Sequence, residues 1–176
     1  MIDTTPSALF VAAFCAAAIV LSGHFACATP FAALATLAAL TLPGRAALLC
    51  VGAAWLLNQV IGFGLLGYPT DGATIGWGFA LGASALLAVP AARGAGRFAP
   101  IPAARAATGL LAAFAAYEAG LCVAALVLPG SAGAYAPAVV ARLFLINLGT
   151  LAGAMLLRAS IATLARPLLA RPRLAA

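Results

Sequence analysis

Apolar residues run almost unbroken along this chain, and the interruptions are short clusters of glycine, proline and polar residues. Apolar runs cover 8–21, 30–42, 46–66, 74–89, 106–128 and 137–164. Between them stand Ser22-Gly23-His24, Pro43-Gly44-Arg45, Gly67-Tyr68-Pro69, a stretch from Pro90 to Arg105, and Pro129-Gly130. Glycine and proline punctuate helices in this way. A helix rises about 1.5 Å per residue, so about 20 apolar residues cross a hydrocarbon core of about 30 Å. The pattern predicts an all-α fold, a polytopic bundle of six transmembrane helices forming one domain over 1–176. The run over 30–42 is the weak one, because its length gives only about 20 Å of helix. It is expected to be tilted within a larger helix, interrupted or re-entrant.

Composition fixes the class and charge fixes the orientation. Hydrophobic residues make up 66% of the 176 and charged residues 7%, with a mean hydropathy of +1.17. Soluble domains carry about 25% charged residues, so a soluble enzyme is excluded, and so is a disordered tail. The net charge is +6, and all nine basic residues are arginine. With six spans, Arg45, Arg93, Arg97, Arg105, Arg166, Arg171 and Arg173 fall on one side. The loops 22–29, 67–73 and 129–136, on the other side, hold no arginine. Cytoplasmic loops collect Lys and Arg, so both termini are expected in the cytoplasm. The excess charge marks a membrane side, and no basic domain suggests a nucleic-acid partner. The N-terminus lacks the basic segment of a cleaved signal peptide, so the first run is expected to stay as a span. The four cysteines form no CxxC pair and no disulfide framework.

Few polar groups are left to carry chemistry, and ionisable or polar groups inside a membrane usually face a cavity, the bundle interior or a partner. His24 and Cys27, in GHFACATP, are a single imidazole and a single thiol. They are too few for a closed metal site but enough for one axial position on a metal already held by a macrocycle. Asn58 and Gln59 are adjacent amides in an apolar helix, about 100° apart. One is expected to line a cavity and the other to bond a neighbouring helix. Tyr68, Asp71 and Trp77 surround a glycine-dense outer loop. The two aromatics suit either a ligand or an interfacial anchor, and Asp71 suits a helix cap better than a ligand. Glu118 and Arg142 are expected to pair across two spans, since each alone would be an uncompensated charge, and Asn147 lies at a depth where it could join them. Glu118 could instead be a protonatable coupling group. No HExxH, GxSxG or Walker sequence is present, so no enzyme is expected.

Six short spans in under 200 residues, Ala12-xxx-Ala16 in the first span, and candidate ligand groups at the outer loops resemble the substrate-binding S components of energy-coupling-factor vitamin transporters. The resemblance covers the whole chain at the level of topology. It implies a bacterial inner-membrane protein that takes up a small vitamin-like solute from the non-cytoplasmic side. The outer pocket would draw on Asn58, Gln59, Tyr68, Asp71, Trp77, Arg142 and Asn147. The small-residue face of span one would dock on a coupling subunit. The solitary cobalamin-uptake branch is similar in size. Its protein ligand to cobalt is a cysteine, and the counterpart here would be His24 or Cys27, with cobalamin as substrate rather than as a prosthetic group. Two other readings stand beside it: a non-catalytic subunit of a larger membrane complex, and a proton-coupled carrier using Glu118.

Overall fold

A computed structural model describes residues 5–22, 29–131 and 133–169. Six α-helices account for the fold, with no strand among the described residues: α1 Thr5–Ser22, α2 Phe31–Thr41, α3 Gly44–Gln59, α4 Gly72–Gly96, α5 Pro102–Ala125 and α6 Pro137–Leu169. α3 continues into a π-helical stretch, Val60–Leu65. Four helices are long and apolar enough to cross a bilayer: Gly44–Leu65, Gly72–Gly96, Pro102–Ala125 and Pro137–Thr163. No more than 39% of the apolar window of any of them is buried within the protein. The rest presents leucine, isoleucine and phenylalanine outward, including Leu49, Phe79, Leu111 and Leu156. Such a surface needs lipid, and the protein is a multi-pass membrane protein.

The short apolar run became the centre of the molecule. Every residue of α2 from Phe31 to Ala39 is buried, and α1, α3, α4, α5 and α6 all pack against it. Its 11 residues give about 16 Å of helix, half the hydrocarbon core. A helix whose ends are enclosed by apolar neighbours must have its terminal N–H and C=O groups bonded by protein, since those neighbours supply no partner. At the start, the Ala33 N–H donates to Asn147 Oδ1 of α6 at 2.8 Å. At the end, Arg93 Nη2 of α4 donates to Ala39 O at 3.1 Å and Leu42 O at 2.6 Å. The carbonyl of Ala39 would otherwise await the N–H of residue 43, which is proline and has none.

Small residues bring the helices together, as is usual in membranes. α4 and α5 share the most extensive interface. There Gly109 faces the Ala92 carbonyl and the Thr36 methyl, and Gly120 faces Ser84. The Gly78-xxx-Gly82 pair lies at the interface of α4 with α3. A Cβ on Gly82 would stand 2.5 Å from the Trp55 ring, and one on Gly78 would stand 3.0 Å from Gln59 Oε1. Pro90, expected to close the fourth span, instead lies inside α4, which runs on to Gly96. It sits on an exposed face, where the lost backbone bond disturbs no packed neighbour.

These contacts set the directions of the helices. α2, α4 and α6 run one way, because Thr41 and Leu42, Arg93, and Arg158 meet at one end. α3 and α5 run the other way, since Asn58 meets Thr29 and Leu128 lies beside Gly76. Arg45, Arg93, Arg97, Arg105 and Arg158 thus share one end of the bundle. Arg142, near the start of α6, is the exception.

Candidate functional site

The end of the bundle opposite Arg45, Arg93, Arg97, Arg105 and Arg158 opens into a pocket of about 140 Å³ between α2, α3, α4 and α5. Its floor and walls carry five aromatic rings: Phe31, Phe63, Tyr68, Trp77 and Tyr117. The polar lining consists of Asn58, Gln59, Thr29 and Thr74, with Gly78 and Leu81 completing it. No charged residue lines it among the described residues.

Local sequence explains how these groups converge. The π-helical stretch Val60–Leu65 ends α3, and Gly67 follows with φ +67°, a conformation that suits glycine. The chain folds back so that the Tyr68 N–H donates to Gly62 O at 3.0 Å. The Tyr68 ring then lies on Gly62, where a Cβ would be 2.7 Å from it, and meets the Phe63 ring edge-on at 6.1 Å. Trp77 is held by a bond from Nε1 to Pro129 O at 2.8 Å, which ties the start of α4 to the end of α5. Phe31 and Tyr117 pack as a tilted pair, centroids 6.1 Å apart. Trp55 lies behind the lining and donates to Gly78 O at 2.7 Å.

The expected division of the two amides, one on a cavity and one on a neighbouring helix, is not what the structure has: both line the pocket, and each also contacts a residue outside α3. Asn58 Oδ1 accepts from Thr29 Oγ1 at 2.8 Å, leaving its NH₂ uncommitted. Gln59 Nε2 makes only a long contact of 3.4 Å with Gly78 O, and its Oε1 accepts no hydrogen bond. The Tyr117 hydroxyl makes no hydrogen bond within the described residues. Donor and acceptor groups therefore face a small, aromatic, uncharged space.

Four of the residues expected from sequence meet here: Asn58, Gln59, Tyr68 and Trp77. Three do not. Asp71 is exposed and caps α4, accepting from Ala73 N, Thr74 N and Thr74 Oγ1 at 2.9, 3.0 and 2.7 Å. The Thr74 hydroxyl and N–H hold its carboxyl below its ordinary pKa. Asn147 is buried and serves the end of α2. Arg142 stands on the exposed flank of α6. The expected Glu118–Arg142 pair does not form: Glu118 Oε1 is buried without a partner, and no ion pair joins the two. The reason is that α6 packs mainly on α2 and touches α5 only lightly. His24 and Cys27 lie outside the described residues. No group of three or more His, Cys, Asp or Glu that could hold a metal exists among the described residues.

Sequence reasoning passed over Thr29, Phe31, Phe63, Thr74 and Tyr117. Tyr117 had a signal, a hydroxyl in the middle of an apolar span, that the neighbouring Glu118 overshadowed. Phe31 and Phe63 had none, because an apolar ring facing a pocket reads like one facing lipid.

The fold and the pocket define a multi-pass α-helical membrane protein with a small aromatic cavity at the end opposite its arginine cluster. No family model matches the chain, and no curated protein or solved structure matches it.

Proposed function

We propose that this protein is a six-helix, multi-pass substrate-binding protein of the cytoplasmic membrane. It takes a small, uncharged, ring-bearing solute from the non-cytoplasmic side as the first stage of uptake. The observation that carries this is the pocket: five aromatic rings around an Asn58 NH₂, a Gln59 oxygen and a Tyr117 hydroxyl that no hydrogen bond among the described residues engages. A packing subunit gains nothing from such groups, whereas a ligand site uses a few placed polar groups in an apolar lining. The arginines at the opposite end favour a cytoplasmic location for that end and for both termini.

The lining also selects the solute. With no cation among its described lining residues and Asp71 bonded to the lining residue Thr74, the pocket disfavours anions. Its 140 Å³ is below the roughly 300–1,000 Å³ of sites for drug-sized ligands, so the solute is smaller than these. A corrinoid would have to sit over the mouth, and the similarity to vitamin S components is served better by a small heteroaromatic ring. The test is ligand extraction from the purified full-length protein, followed by thermal shifts with small heteroaromatic solutes and with hydroxocobalamin. The expected result is a stabilising ring compound whose effect falls about tenfold in Asn58→Leu or Tyr117→Phe. No extracted ligand and no shift with any solute overturns the reading, and a shift with the corrinoid alone overturns the size argument.

One observation favours a second reading, a proton-coupled carrier. Glu118 is an intramembrane carboxyl with no cation beside it, and such groups are often proton relays. It does not line the pocket, so Glu118→Gln would abolish the pH dependence of transport while leaving solute binding intact.

A further inference from the structure

A second concavity lies on the lipid-facing side of the arginine-rich end, remote from the solute pocket. It is a groove of about 300 Å³ between α2 and α6. Leu37 and Leu151 are buried and form its floor, and Leu40, Met155 and Ala159 are partly exposed along its sides. Its one charged member is Arg158. That guanidinium is exposed and makes no hydrogen bond or ion pair with any described residue.

Apolar walls with a single unpaired cation suit an amphiphile of opposite sign. The dimensions agree. From Leu151 to Arg158 the groove follows α6 for about 10 Å, within the roughly 15 Å of one leaflet's hydrocarbon. Arg158 stands at the level of Thr41, where the chain meets Arg93. The other arginines of this end mark the same level as the headgroup region. Arg97, by contrast, is exposed at that end and does not line this groove. We propose that the α2–α6 groove is a binding site for an anionic phospholipid of the cytoplasmic leaflet, one acyl chain lying along Leu37 and Leu151 and the phosphate paired with Arg158. A lipid seated there covers the seam between the central helix α2 and α6. This inference does not depend on the solute pocket.

The test is native mass spectrometry of the full-length protein in neutral detergent, with dioleoyl-phosphatidylglycerol and dioleoyl-phosphatidylcholine as probes. One arginine near an anionic headgroup is worth about a fivefold preference. We expect phosphatidylglycerol to be retained about fivefold more strongly than phosphatidylcholine. Arg158→Gln should bring the two to parity, Arg158→Lys should keep the preference, and Arg97→Gln should leave it unchanged. Ala159→Phe, which fills the groove, should weaken retention of both lipids. Glycerol phosphate in millimolar excess should displace neither. Parity in the unaltered protein, an equal loss in Arg97→Gln and Arg158→Gln, or displacement by glycerol phosphate would overturn the proposal. So would a second copy or another polypeptide held in the groove and lost on Ala159→Phe. Should Arg158→Gln not fold, the Ala159→Phe and Arg158→Lys variants still decide it.

Discussion

The two ends of the central helix are both buried and both closed by a side chain from another helix, but by side chains of different kinds. At its N-terminus, α2 meets a neutral amide: Asn147 Oδ1 takes the Ala33 N–H. At its C-terminus it meets a guanidinium: Arg93 bonds the carbonyls of Ala39 and Leu42. The helix dipole favours this arrangement, with an acceptor at the positive end and a cation at the negative end. The difference also sorts the two halves of the bundle. The arginine end is pinned by a charge-assisted bond and packed with alanine and glycine. The amide end is tied by one neutral bond, and beside it α2 contributes Thr29 and Phe31 to a pocket. One end is built to hold, and the other leaves room for a ligand.

The largest effect should come from the pinned end. Arg93→Met leaves the carbonyls of two buried residues without a donor, since Pro43 cannot supply one to Ala39. Hydrogen bonds to charged groups are worth about 1.5–3 kcal/mol each, partly offset because Arg93 Nε is itself buried without a partner. We expect a loss of about 3 kcal/mol in reversible unfolding in mixed micelles. A loss under 1 kcal/mol would mean that the carbonyls find water and that the end is not pinned.

Gly82→Leu should come next. It drives a side chain into the Trp55 ring, which cannot swing aside without giving up its bond to Gly78 O. Overpacking of this kind costs typically 1–3 kcal/mol. The displacement of α3 should also spread Asn58 and Gln59, so solute binding should weaken together with stability. Gly52→Leu faces only the end of Leu86, at 3.9 Å, and should be milder on both counts.

Much of this was legible in the sequence and some was not, for reasons that lie in the physics of lipid. The helices were legible because apolar runs and their glycine and proline breaks are local. Asn58, Gln59, Tyr68 and Trp77 were legible because a polar or amphipathic group in an apolar chain is conspicuous. The role of α2 was not. Its uniform alanine and leucine read as a span too short to cross, whereas the helix is short because it is enclosed on all sides. Lipid and protein interior are equally apolar, so hydrophobicity does not say which face is inward. Arg93 was read as a marker of membrane side, and its bond to α2 depends on a long-range meeting of α4 with α2. The pairing of Glu118 with Arg142 failed for the same reason: depth is legible along one helix, but adjacency of two helices is not.

At the amide end, Asn147→Leu tests the weaker tie. It removes one neutral bond to the Ala33 N–H, and such a loss costs about 1–2 kcal/mol when the donor is left buried. The effect should be about half that of Arg93→Met. Equal losses would erase the distinction between the two ends. A larger loss for Asn147 would reverse it.

The smallest effect belongs to Asp71, at the rim beside the pocket, and it is one of pH. The carboxylate accepts three hydrogen bonds at the start of α4, and those from Thr74 lead in holding its pKa below the ordinary value. A carboxyl whose folded pKa is depressed contributes stability above its unfolded value, near pH 4, and loses it as pH falls through the lower folded value. Asn caps helices about as well as Asp but does not titrate in this range. The melting temperatures of the parent and Asp71→Asn should therefore differ by a constant, small amount above about pH 5. As pH falls below about 4 the parent should lose its share while Asp71→Asn does not. Any advantage of the carboxylate then shrinks and reverses. A gap that instead widens in the parent's favour on acidification would mean that the protonated acid is the better cap, contrary to the three bonds it accepts.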